Sequence, residues 1–145
     1  MRRVFLKLAL LAVVVGCGRQ TPTAPDAMLV DPNTLMPTSA GSTGRWVGRN
    51  HSVTGSVTLL VENGVARLSF SNDFTVADAP GPFVYVNTTD NPNTGRPLRV
   101  ASVKNRQGAQ SYTFQVPPGV RYTYVLIWCD PYNVAIADAA IPPTP

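Results

Sequence analysis

Charged residues, cysteines and histidines are scarce in this sequence. Of its 145 residues, 14% are charged, two are cysteine and one is histidine, whereas 44% are hydrophobic. Beyond the amino-terminal segment, no window of helical length carries an apolar stripe with a 3.6-residue period, which excludes a helical bundle. The motifs of serine hydrolases, zinc proteases and phosphate-binding loops are also missing. The sequence therefore gives no positive indication of an enzyme.

Residues 1–16 predict an export signal. A positively charged start, Met1 to Lys7, precedes the unbroken apolar run Leu8 to Val15. That run is too short for a permanent membrane helix, which needs about 20 apolar residues. It ends in Val14, Val15, Gly16 and Cys17, and these four residues resemble the lipobox of bacterial lipoproteins.

The lipobox resemblance implies that Cys17 becomes the first residue and carries lipid. Its sulfur would take a diacylglycerol and its amine a further acyl chain such as palmitate, and several acyl chains hold a protein firmly to a bilayer. Membrane lipid is thus an expected partner, and the bacterial cell envelope is the expected location. Gly18 is not an acidic retention signal, so the outer membrane is expected in a Gram-negative organism. The alternatives are an ordinary secretory signal or a short membrane helix.

The charge balance gives no support to a nucleic-acid partner. The formal net charge of +4 includes Arg2, Arg3 and Lys7 of the predicted signal. Without them, nine basic residues nearly balance eight acidic ones, so no strongly basic surface is expected. One histidine and one further cysteine cannot complete a structural zinc site, which takes four protein ligands. We predict no metal site.

Residues 17–43 predict a lipidated cysteine followed by a flexible tether. The segment is rich in Thr, Pro, Ala and Ser, and its prolines break helices and favour extended backbone. It has little apolar surface to offset the entropy lost on ordering. The short apolar group Met28-Leu29-Val30 could instead dock on the domain or on a partner.

Residues 44–145 predict one antiparallel β-sandwich. About eight short β-like runs alternate with turn residues, as in all-β sandwiches. Asn63-Gly64 indicates a type I′ hairpin turn between two of the runs. The run Tyr122 to Cys129 is apolar on both faces, which is typical of a central strand covered on each side.

Six motifs follow one another in the predicted domain and together resemble the DM13 family of bacterial lipoproteins and animal extracellular proteins. The resemblance runs from Trp46 to Ile141. Two departures stand near its end, where Tyr132 replaces a usual Phe and Ile136-Ala137 replaces a usual Phe-Gly pair. The motifs are His51–Val57, Leu68–Phe70 with Asp73-Phe74, Gly81–Val86, Asn105–Tyr112, Val125–Tyr132 and Val134–Ala139.

The resemblance implies an electron-transfer or redox role centred on one cysteine. That cysteine is Cys129 here, acting as a bare thiol or as ligand to a prosthetic group such as a haem, with a redox partner protein in the envelope. The sequence does not identify the cofactor. His51, Trp128 and Asp130 are candidate neighbours of the thiol.

A purely structural role for Cys129 is the alternative to the redox role. A free cysteine at the end of a central strand commonly packs as a small hydrophobic residue. His51 would then be a strand-edge residue, and the domain would be a non-catalytic binding module in the envelope.

Overall fold

Two antiparallel sheets form the domain in the computed structural model, which describes residues 22, 24–30 and 41–142. The predicted signal, Cys17 and residues 31–40 of the predicted tether lie outside the described residues. The strands are β1 (Ser42–Arg45), β2 (Val47–Gly48), β3 (Val53–Thr54), β4 (Ser56–Glu62), β5 (Val65–Phe70), β6 (Thr75–Val76), β7 (Pro82–Asn87), β8 (Leu98–Ser102), β9 (Gln110–Gln115), β10 (Tyr124–Cys129) and β11 (Val134–Ala140).

The sheet order confirms the predicted all-β sandwich. One sheet has the order β1-β4-β5-β9, the other has β2-β11-β10-β7-β8, and β3 pairs separately with β6. The strands number eleven rather than about eight. The alternating sequence from Ser52 to Val61 predicts one strand, but the structure divides it into β3 and β4 at Gly55, whose φ of +91° is outside the strand region. The short strands β1 and β2 had no clear alternation in the sequence.

Alternating side chains of the two sheets meet in one core. In β5, Ala66, Leu68 and Phe70 are buried while the residues between them are partly exposed. Aromatic rings fill one end of this core: Phe70 lies 5.1 Å from Trp46 and 4.7 Å from Phe74 between ring centroids. The period-two pattern of the sequence thus becomes an inner and an outer face, as strand geometry requires.

The hairpin predicted at Asn63-Gly64 is confirmed. Both residues have positive φ, +52° and +79°, as a type I′ turn demands. The turn joins β4 to β5, and Glu62 pairs with Val65 directly across it.

Strand β10 is buried on both faces, as predicted. Val125, Ile127 and Cys129 belong to the main core between the sheets. Leu126 and Trp128 form a second cluster with Tyr85 on the outer face of the five-stranded sheet. β10 lies between β7 and β11, which makes it the central strand of its sheet. The alternation of the run predicts that Tyr122 shares a face with Leu126 and Trp128, but Tyr122 precedes β10 and packs in the main core.

Residues 24–30, here called the strap, cross between the two sheets at one side of the sandwich. Asp26 bridges Arg99 of β8, and Leu29 bridges Phe114 of β9. β8 and β9 are the edge strands of their sheets, so the strap supplies partners to backbone groups that an edge would leave unpaired. On the opposite side, the chain passes from β1 of one sheet to β2 of the other through the buried Trp46.

Truncation of Leu68 tests the core. Leu68→Ala removes a side chain with no exposed surface and should lower the free energy of unfolding by about 2–5 kcal/mol. Val61→Ala, at a side chain that is 48% exposed on the neighbouring strand, should change it by less than about 0.5 kcal/mol. Urea unfolding followed by circular dichroism measures both, and equal effects would contradict this assignment of the core.

Candidate functional site

Cys129 is the last residue of β10 and faces the main core. It is a free cysteine with 4% of its surface exposed. Its Sγ donates a hydrogen bond to the carbonyl oxygen of Pro80 over 2.9 Å. Cys129 also stands opposite Pro82 in the pairing of β10 with β7. The thiol therefore has a backbone carbonyl as its hydrogen-bond acceptor at one end of the sandwich.

The turn over the thiol is thin and depends on a glycine. Pro80 and Gly81 are both exposed, although Pro80 contacts Sγ from its inner side. Gly81 has φ of +54°, and a Cβ there would lie 2.8 Å from Cδ of Pro131. The Gly81 carbonyl also accepts a hydrogen bond from the Asp130 amide over 3.3 Å. The acceptor of the thiol therefore belongs to an exposed turn.

Asp130 follows Cys129 but belongs to a different set of contacts. Its side chain accepts a hydrogen bond from the Tyr85 hydroxyl at 2.6 Å and another from Nε of Arg99 at 2.7 Å. Arg99 Nη1 also donates to Asp26 of the strap at 3.0 Å. Asp130 is 7% exposed, and a buried carboxylate requires such partners. Tyr85, Arg99 and Asp130 form a compact charged group that is joined to the strap.

Burial and pairing set the proton affinities in this group. Burial first, and the hydrogen bond to Asp130 second, raise the pKa of Tyr85 far above its ordinary value. Burial disfavours the charge on Arg99, but the hydrogen bonds to Asp130 and Asp26 outweigh it and raise the pKa of the guanidinium. The guanidinium carbon also lies 3.4 Å from the centre of the Phe83 ring. The charge of Arg99 is thus committed to two carboxylates and a ring.

Trp128 lies on the opposite face of β10 from Cys129. Its Nε1 donates to Oδ1 of Asn133 at 3.0 Å, and Asn93 donates to the same oxygen. Asn93 belongs to the loop between β7 and β8, which is held by the fully buried Asn87. The Asn87 amide nitrogen donates to the carbonyls of Asn91 and Thr94 at 2.7 and 2.9 Å. The Trp128 side chain is therefore linked to this loop through Asn133 and packs with Tyr85 and Leu126, not with the thiol.

The structure brings together only part of the predicted site. Cys129, Asp130 and Trp128 adjoin along the chain, yet their side chains have separate partners. His51 lies between β2 and β3, and none of the hydrogen bonds or ion pairs among residues 22, 24–30 and 41–142 links it to Cys129. Over these same ranges, no group of three or more histidine, cysteine or acidic side chains is placed to hold a metal ion.

Sequence reasoning missed Tyr85 and Arg99. Arg99 stands in the sequence among the basic residues Arg96, Lys104 and Arg106, a pattern typical of a soluble sheet edge, yet its side chain is 27% exposed and carries two ion pairs. The one available signal was its place in a β-like run, where a long charged side chain flanked by Leu98 and Val100 needs a partner.

The comparisons with known proteins agree with these elements. A sequence model of the domain family described as "Electron transfer DM13" matches residues 46–141. The chain belongs to the DM13 family. The DM13 match spans the interval from Trp46, at the crossing between β1 and β2, to the residue after β11, and it includes Cys129. No curated protein and no solved structure matches the chain.

Removing the charge of Asp130 tests the buried group. Asp130→Asn keeps the shape of the side chain but leaves Arg99 without its buried counter-ion, so the free energy of unfolding should fall by about 2–3 kcal/mol. The matched control is Asp78→Asn, because Asp78 pairs with Arg106 at 2.6 Å but its side chain is 92% exposed. That variant should cost less than about 1 kcal/mol. Urea unfolding of both variants measures these losses. A smaller loss of unfolding free energy for Asp130→Asn than for Asp78→Asn would contradict the proposed pairing of Asp130 with Arg99 and Tyr85.

The buried phenols predict an alkaline loss of stability. Burial raises the pKa of Tyr112 and of Tyr122 to about 12, and that of Tyr85 is raised as well. Below the ordinary tyrosine value of about 10, the folded and unfolded chains are both neutral at these groups, and the stabilisation is complete. It is lost as pH rises through the raised values, because the unfolded chain releases these protons first.

Tyr85→Phe isolates the contribution of one phenol to this loss. The variant should be less stable than the natural chain near neutral pH, since Asp130 loses a donor. The difference in unfolding free energy between the two chains should shrink as pH rises above about 10. Urea unfolding at a series of alkaline pH values measures it; a difference independent of pH would argue against a raised pKa at Tyr85.

Proposed function

We propose that this DM13 protein is an electron-transfer lipoprotein of the bacterial cell envelope, with the Cys129 thiol as its redox group. One observation carries the redox part: within the segment matched to an electron-transfer family, the thiol of Cys129 lies directly beneath a single exposed turn. Tyrosine and tryptophan side chains can also be oxidised. The family resemblance, however, points to the cysteine, and the cysteine is the residue in contact with the exposed turn.

The geometry limits the kind of redox chemistry that the thiol performs. Thiol–disulfide exchange requires access of a partner to the sulfur, and Sγ is enclosed while Pro80 stays in place. Ligation of a haem iron by sulfur would need Sγ to face a cavity that could hold the haem. Here Sγ is hydrogen-bonded to a backbone carbonyl, and Cys129 packs in the core. The closed arrangement does not fit a haem at this atom. Displacement of the turn at Pro80 and Gly81 would give a partner access to the thiol.

The envelope location and the lipid anchor rest on the sequence. The apolar run and the lipobox residues Val14, Val15, Gly16 and Cys17 support export and lipidation, with membrane lipid and a redox protein of the envelope as partners. The default site is the outer membrane in a Gram-negative organism. In the part of the chain that the structure describes, no helix has the length and apolar character needed to span a membrane.

A second function has an observation in its favour. Cys129 is 4% exposed and its sulfur is hydrogen-bonded, which is the arrangement expected of a packing residue in a non-catalytic binding module. In that case the loops, rather than the thiol, would contact an envelope partner. The two functions predict different results for the reactivity of the thiol when the turn is displaced and for the redox behaviour of a chain that lacks the sulfur.

Opening the turn tests whether the thiol can be reached. Gly81→Ala places a Cβ against Pro131 at a positive φ, so the turn should shift and reaction of Cys129 with a small neutral thiol reagent should accelerate at least several-fold. Gly119→Ala is the matched control, because Gly119 has φ of +71° but no atom within 4 Å of an added Cβ. Both variants must retain the natural far-ultraviolet circular dichroism spectrum.

Removal of the sulfur tests the redox role itself. With oxidised glutathione as the disulfide, the Cys129 sulfur should attack one glutathione sulfur, form a mixed disulfide and release reduced glutathione. Mass spectrometry of the folded natural chain should show this adduct, and Cys129→Ser, a variant of similar size, should not form it. No adduct on the folded natural chain, together with a thiol that reacts only in denaturant, would assign Cys129 to packing and favour the binding module.

A further inference from the structure

The strap is fastened to both sheets by backbone hydrogen bonds. The Ala27 amide donates to the Arg99 carbonyl at 2.6 Å, and the Arg99 amide donates to the Pro25 carbonyl at 2.9 Å. On the other sheet, Gln115 donates to Met28 at 3.0 Å. Val30 donates to Thr113 at 2.9 Å. Residues 25–30 therefore behave as a short extra strand shared by two edges.

Side chains fix the strap further. Asp26 pairs with Arg99 at 3.0 Å, Ala27 packs against the main core, and Ala24 packs against the outer cluster of Tyr85, Leu126 and Trp128. Pro22 is also buried. The described part of the predicted tether is thus attached to the domain.

Two large apolar side chains of the strap remain exposed. Met28 is 75% exposed, and its neighbour Leu29 is 61% exposed. Adjacent residues of an extended strand project to opposite sides, yet both are open because the strap is the outermost strand at this side of the sandwich. The pair forms an apolar ridge beside β9.

The position of the predicted anchor identifies what covers this ridge. Four residues, 18–21, separate Cys17 from the buried Pro22, so these two residues lie at most about 17 Å apart along an extended chain. If the chain were unattached up to residue 41, Cys17 could lie about 80 Å from the first attached residue. A docked strap therefore keeps its side of the domain next to the lipid into which Cys17 would insert.

We propose that the strap is a membrane-contact surface, in which Met28 and Leu29 enter the interface of the bilayer and orient the domain with the side formed by β8, β9 and the strap toward the lipid. The inference rests on the proposed lipid anchor at Cys17. Apolar side chains that reach the boundary between headgroups and acyl chains add to binding by acylation. The thiol of Cys129 is not part of this surface, so the result of this test does not bear on the redox proposal.

Hydroxyl-radical footprinting of the lipidated chain tests the contact. The chain is reconstituted in vesicles of phosphatidylethanolamine and phosphatidylglycerol, and modification is read by mass spectrometry at Leu29 and at Val47. Val47 is the matched control, since it is 53% exposed and lies on β2, at the edge of the five-stranded sheet opposite β8. Vesicles should reduce modification of Leu29 several-fold while Val47 changes little.

A strap variant and a lipid-free sample complete the test. Ala27→Pro removes the amide that donates to Arg99 and should abolish the protection of Leu29 although the chain still floats with vesicles. Equal modification of Leu29 and Val47 on a floating chain would overturn the contact and leave the anchor intact. A chain that carries no lipid at Cys17 would overturn both. If Leu29 is protected without vesicles, and the protection rises with protein concentration, a second copy of the chain covers the strap and the lipid contact is wrong.

Discussion

A central strand that is apolar on both faces governs the architecture of this domain. β10 must be covered on each side because leaving either face in water would forfeit the burial of large apolar side chains. The four-stranded sheet covers the inner face. On the outer face, Ala24 of the strap packs against the cluster of Tyr85, Leu126 and Trp128, as do Phe83, Tyr124 and Ala135. The position of the candidate site follows from this arrangement.

The end of β10 places two chemically different residues side by side. Cys129 turns inward to the carbonyl of Pro80, whereas Asp130 binds Tyr85 and Arg99. A buried carboxylate has to be balanced by a cation or by strong donors, and Arg99 meets that need. Arg99 is paired with carboxylates, and the thiol has the neutral carbonyl of Pro80 as its acceptor. Pro80 belongs to the same exposed turn as Gly81.

The same network joins the candidate site to the amino-terminal strap. Arg99 contacts Asp130 on one side and Asp26 on the other, so one guanidinium links the residue after the thiol to the segment that leads toward Cys17. The strap also protects the edges of β8 and β9, which are otherwise open to pairing with other chains. Edge protection and the candidate site thus depend on adjacent contacts.

The features that could be predicted from the sequence are local ones. Alternation with period two fixed the all-β class, Asn63-Gly64 fixed one hairpin, the apolar run ending at Cys129 identified the central strand, and the ordered motifs pointed to the DM13 family. The tertiary structure alone decided that Tyr85, Arg99 and Asp130 meet, and that the strap crosses two sheet edges. These contacts join residues far apart in the chain, and strand order and register bring them together. A periodic pattern assigns each side chain to a face but does not say which strand lies beside it.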